Sequence, residues 1–171
     1  MSADTENSAA SVGEEKAESE RIMLVVVDDS KEMPVALHFA CRRARNTGGR
    51  VALMTVIKPA DFQHWASVGD LMRREAREEG EQLLQRLSAE VLEWSGRYPI
   101  LYIREGDTRE ELMALLDEEP SISILVLAAS AGSSGPGPLI SYLLSKKARE
   151  TRIPITIVPG NLSDEEILEI T

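Results

Sequence analysis

Five short runs dominated by Val, Ile and Leu recur along this 171-residue chain, each separated from the next by a helix-length stretch. The first, Ile22–Val27, is apolar throughout and ends at Asp28, as expected of a strand covered on both faces. Val51–Ile57, Pro99–Arg104, Ser123–Ala128 and Ile153–Val158 repeat the theme. Between them, Met33–Arg45, Leu71–Trp94, Arg109–Asp117 and Pro138–Arg149 carry helical spacing, with Pro34 and Pro138 in first turns where a missing N–H costs nothing. Strands that alternate with helices in this way form a parallel α/β sheet, because parallel neighbours need crossovers.

Composition supports one such domain with appended ends. The chain is 43% apolar and 28% charged, with 4% aromatics, so the core is built from aliphatic residues. Residues 1–20 are rich in Ser, Ala and Glu and are expected to be a disordered acidic tail. Residues 21–160 form the α/β domain. Residues 161–171 are a short acidic helix or tail, with Ser163 and Glu166 at capping-box spacing. Most of the net charge of −10 sits in these ends. The nearly balanced body has no basic stripe, which argues against nucleic acid as a partner.

Other classes fall for lack of residues. Cys41 is the only cysteine, so neither an internal disulfide nor a Cys-rich zinc site can form. No apolar run approaches the roughly 20 residues of a membrane span. Asp4 and Glu6 stand where a secretory signal would be basic, so the expected address is the cytoplasm. His38 and Cys41 share a helical face at a spacing that suits a metal, but two ligands make no site. Neither they nor His64 fall in a candidate ligand loop, which leaves nucleophilic catalysis poorly supplied.

Ligands of open parallel sheets bind beyond the carboxyl ends of the strands. Two segments fall there. Asp28-Asp29-Ser30 follows the first strand, and the small residues Ala129–Gly137 follow the fourth. Gly132, Gly135 and Gly137 permit close backbone approach, which suits a phosphate or serves turn geometry alone. Asp28 has three readings: a hydrogen bond to a ribose or amide, a Mg²⁺ ligand beside nucleotide phosphates, or a cap on the next helix.

These segments together resemble the universal stress protein family over about residues 22–160. Val-Val-Asp28-Asp29-Ser30 is similar to the family's first-strand signature, Ile124–Gly135 to its fourth strand and G-x-x-G loop, and Pro154–Val158 to its closing strand. The resemblance implies a five-stranded parallel sheet of order 3-2-1-4-5 with helices on both faces, a Rossmann-like fold of the adenine nucleotide alpha hydrolase type. It implies a homodimer made partly through the strand at 153–158, and a non-catalytic regulator. In one branch it implies binding of ATP or AMP, with Mg²⁺ only if ATP binds. Carried over position by position, Asp28 contacts the nucleoside and Val56 offers its backbone to adenine. Gly132 and Gly135, with Ser133 and Ser134 between them, hold the phosphates. The nucleotide-binding branch continues nine residues later with Gly and then Ser or Thr. This chain has Ser145 and Lys146 there, so a side chain replaces a glycine and a point charge replaces a hydroxyl.

Two alternatives remain at this stage. One is a structural dimer of the same fold that binds no nucleotide. The other is a receiver-type phosphoacceptor domain, since a hydrophobic strand before Asp-Asp-Ser also opens that fold. Asp107 would be its acceptor, but its lysine would have to be Lys58, after the wrong strand.

Overall fold

The computed structural model describes residues 20–59, 66–132, 135–145 and 150–171. The expected acidic tail therefore lies outside the described residues save for Glu20, as do His64, Trp65, Ser133, Ser134 and Lys146. In chain order the elements are β1 (Ile22–Val26), α1 (Met33–Thr47), β2 (Arg50–Ile57), α2 (Ala66–Ser95), β3 (Ile100–Glu105), α3 (Thr108–Glu118), β4 (Ile122–Ala129), α4 (Pro138–Leu144), β5 (Ile155–Pro159) and α5 (Asp164–Ile170).

The sheet is parallel with order β3-β2-β1-β4-β5. Receiver domains have the order 2-1-3-4-5 instead, so the topology removes that alternative. β1 sits at the centre and every one of its residues is buried, which is why its run is apolar without alternation. One face is covered by α1 and α2. α1 approaches closely because it buries Ala36, Ala40, Cys41 and Ala44 against the sheet beside Leu37. The opposite face is sealed by α3 and α4 through Leu112, Leu115, Leu116, Ile140 and Leu143. No helix among the described residues is long and apolar enough to cross a membrane.

Boundaries differ from the expected ones for local reasons. α1 runs on to Thr47 and stops where Gly48 takes the left-handed conformation at φ +68°. β5 begins at Ile155 rather than 153, because Pro154 has no N–H for a ladder and contributes only its carbonyl, which accepts from Leu125 N–H at 3.0 Å. The described part of α4 ends at Leu144, with Ser145 as its C-cap. The Ser163 capping box forms with both of its hydrogen bonds and starts α5, which packs on α1 and buries Ile167.

Side chains at the amino ends of the strands tie backbone to backbone. Arg152 donates five hydrogen bonds to four carbonyls: two to Leu116 and one each to Glu119, Pro120 and Ile122, at 2.6–3.4 Å. Arg50 Nε donates to Tyr98 O at 2.9 Å, and Ser123 Oγ donates to Ile22 O at 3.1 Å. The α3 terminus thus finds partners for carbonyls that its own ladder leaves free.

Candidate nucleotide cleft

At the carboxyl ends of the strands the chain turns outward on both sides of β1, and a cleft opens between the tips. Asp28 follows β1, and its Oδ1 accepts from Ser30 N–H at 2.9 Å, a tight turn made by the side chain. The same acid walls two adjoining cavities. One, of about 590 Å³, lies toward the β4 loop and is lined by Asp28, Glu32, Met33, Leu127, Ser130 and Gly135 among others. The second, of about 690 Å³, lies toward β2 and α3 and includes Asp28, Val56, Lys58, Asp107 and Arg109. Val26, Asp28, Pro138 and Leu139 belong to both, so the two are lobes of one cleft.

The wall of the first lobe is a closed loop. Ser130 N–H donates to Pro136 O at 3.3 Å, and Gly132 N–H donates to Ser130 Oγ at 3.3 Å. Gly135 at φ +93° and Gly137 at φ +108° occupy backbone regions that side chains disfavour, which accounts for two of the loop's three glycines by geometry alone. Glu32 stands over this lobe from the start of α1. A Cβ placed on Gly160 would come within 2.3 Å of Glu32 Cγ and 2.4 Å of Ala129 O, so Gly160 is held by close approach.

The second lobe is shaped by strand alternation. Met54 O accepts from Val27 N–H at 2.7 Å on the β1 side, while Ile57 O accepts from Gly106 N–H at 3.0 Å on the β3 side. Successive carbonyls alternate, so the backbone groups of Val56 point to the β1 side. They lie beyond Met54, the last β2 residue paired with β1. Asp107 caps α3, its Oδ1 accepting from Arg109 N–H at 2.9 Å and Glu110 N–H at 3.3 Å. Arg109 lies over the Tyr142 ring of α4, with its guanidinium carbon 5.2 Å from the ring centroid.

The structure therefore brings Asp28, Val56 and Gly135 to one cleft. Gly132 lies in its loop with its amide already donated, and Ser133, Ser134 and Lys146 lie outside the described residues. Ser145 is exposed at the C-cap of α4, its Oγ donating to Tyr142 O at 2.5 Å, and it is not among the residues lining either lobe. His38 is also engaged elsewhere: Nδ1 meets Asp164 Oδ1 at 2.8 Å, and the ring lies 4.6 Å from that of Trp94. Burial, with a smaller push from Glu90, drives the Cys41 thiol up to about 12, so it is no nucleophile at neutral pH. Sequence reasoning passed over Glu32, Lys58 and Arg109 as lining residues, since nothing in their spacing separates them from other surface charges.

A family model described as the universal stress protein family matches residues 20–159. Among solved structures, the universal stress protein UspA from Lactobacillus plantarum superposes with a TM-score of 0.67 at 16% identity, covering 81% of this chain and 97% of that one. A universal stress protein family member from Burkholderia pseudomallei gives 0.62 at 22% identity, with 83% and 98% covered. A universal stress protein in complex with cAMP gives 0.57 at 16% identity, with 83% and 98% covered. No curated protein matches the sequence. With the family's fold and strand order both present and its model spanning the whole sheet, this chain belongs to the universal stress protein family.

Proposed function

We propose that the protein is a non-catalytic, cytoplasmic regulator whose cleft takes an adenine nucleotide, AMP in preference to ATP. One observation carries the reading: Asp28 walls both lobes, with the free backbone edge of Val56 at one end of the cleft and Gly135 at the other. A nucleotide laid across both lobes would put its sugar hydroxyls beside a carboxylate acceptor. The cAMP complex of a relative of the same fold supports an adenine nucleotide as the ligand class. The preference for AMP follows from charge. Asp28, Asp29, Glu32 and Asp107 line the cleft against Lys58 and Arg109 among the described residues, so each added phosphate meets a net negative wall. Mg²⁺ enters only with ATP, by screening that charge.

Melting the protein with AMP, with ATP and with ATP and Mg²⁺ tests this. At a hundredfold excess over the dissociation constant, a ligand of the folded state adds about 2.7 kcal/mol. AMP should raise the melting midpoint, ATP should raise it less at equal concentration, and Asp28→Ala should abolish both shifts. No shift with any nucleotide at millimolar concentration would leave a structural dimer as the reading.

The dimer belongs to the same proposal. β5 is an edge strand, with one row of backbone groups free and Ile157 exposed, and pairing with its symmetry mate would satisfy that row. Light scattering should give twice the 18.8 kDa chain mass, and a monomer at micromolar concentration would overturn it.

A further inference from the structure

α5 follows the last residue that the family model matches, so the family's shared features do not account for it. Its Ile167 is buried where the helix packs on α1. At about 100° per residue, Asp164 and Leu168 fall on one side of that contact, where Asp164 meets His38. Ile170 falls on the other side, toward β5, with Glu169 on the outer surface beside it. The Ile170 side chain is 55% exposed and lines an open cavity of about 290 Å³ together with Phe39 and Arg43 of α1, Ile124 of β4 and Thr156 of β5. Arg43 and Glu169 are both exposed, and neither side chain has a hydrogen bond or an ion pair among the described residues.

These residues border the free edge of β5, and by itself that edge is too small to hold two copies together. Its five residues make a seam about 17 Å long and about 10 Å deep. The smallest stable interfaces bury about 600 Å² per partner, so a lasting pair must cover more surface on at least one face of the joined sheet. Antiparallel pairing of two β5 strands about a two-fold axis normal to the sheet keeps α1 and α5 of both copies on one face, flanking the seam.

We infer that α5 is a dimerisation element. The two Ile170 side chains close over the joined β5 strands, and Arg43 of each copy pairs with Glu169 of the partner subunit. This rests on the dimer reading above and names the surface that completes it. α5 carries Asp164, Glu165, Glu166 and Glu169 and no base, while α1 presents Arg43 on its β5 flank, so the two surfaces are complementary in charge from one copy to the other.

Sedimentation equilibrium of the wild type, Arg43→Glu, Glu169→Arg, an equimolar mixture of those two, and Ile170→Ala tests the inference. Each charge variant should weaken the dimer about tenfold, because two attractive contacts become repulsive. The mixture should recover the wild-type affinity as a heterodimer, since the new carboxylate at position 43 then faces the new guanidinium at position 169, and the unaltered pair faces itself. A contact within one chain gives the opposite result, with the mixture as weak as its parents, and would overturn the inference. Ile170→Ala should weaken the dimer about tenfold as well, because both copies lose apolar contact. If none of the three variants changes the dissociation constant, α5 stands away from the seam and the inference is wrong, while the dimer reading stands. If the wild type is a monomer at micromolar concentration, the dimer reading fails and takes this inference with it. Circular dichroism spectra of Arg43→Glu and Glu169→Arg should match the wild type, since neither side chain has a bond within its own chain to lose.

Discussion

The two ends of the sheet spend their polar side chains differently. At the amino end, Arg152, Arg50 and Ser123 all donate to main-chain carbonyls, and Arg152 alone joins the end of α3, the following turn and the start of β4. At the carboxyl end, the side chains of Glu32, Lys58 and Arg109 line a cleft and make no side-chain hydrogen bonds among the described residues. The contrast follows from parallel topology. Helices end where strands begin, so the amino end collects orphan carbonyls that basic side chains satisfy. Helices begin where strands end, and the connections fan apart on both sides of β1 to leave room for a ligand. One end is built for stability, and the other keeps its charges available.

The sharpest way to break this contrast is to remove the clamp. Arg152→Ala should cost about 2–3 kcal/mol, because four carbonyls lose a charged donor together, and a drop of about 5–10 °C in the melting midpoint would follow for a chain of this size. AMP affinity should stay as it was. Arg152→Lys should recover little, since a point charge cannot reproduce a fork that reaches four acceptors. A melting curve within a degree of the wild type would mean that the amino end is held by its ladder alone. At the other end, Glu32→Gln keeps the shape that packs on Gly160 and removes only charge. Chemical denaturation should show a change within about 0.5 kcal/mol, as for surface sites generally. AMP affinity should also move by less than about twofold unless the phosphate lies beside Glu32. A tenfold gain would instead put the phosphate beside Glu32.

Much of the scaffold was legible because buried parallel strands leave a plain signature. β1 and β4 have no polar residue on either covered face except Ser123, which itself bonds Ile22 O. The caps obey equally local rules: Asp107 and Ser163 each sit one residue before a helix and bond its first amides. Asp28, Val56 and Gly135 were legible as site candidates because each follows or ends a strand, and strand ends meet in this fold. Ser145 was named by counting along a motif, and where α4 stops sets its place as the C-cap of that helix. Arg109 had no signature at all, since its partner Tyr142 lies 33 positions along the chain on another helix.

Periodicity and local turn chemistry therefore determined the elements, their order and the two capped helices, and the resemblance of three segments pointed to the family. Those are properties of neighbours in sequence, where side-chain alternation and capping spacing act directly. Only the folded chain decided which charges would be consumed. Arg152 and Arg109 are both exposed arginines beside loops, and nothing within a few residues of either tells them apart. The first is surrounded by carbonyls of one stretch, Leu116 to Ile122, that lies 30 to 36 positions back along the chain, and the second by an aromatic ring and an open cleft. Electrostatic partners are set by distance through space, and crossovers of 16 to 42 residues fix that distance.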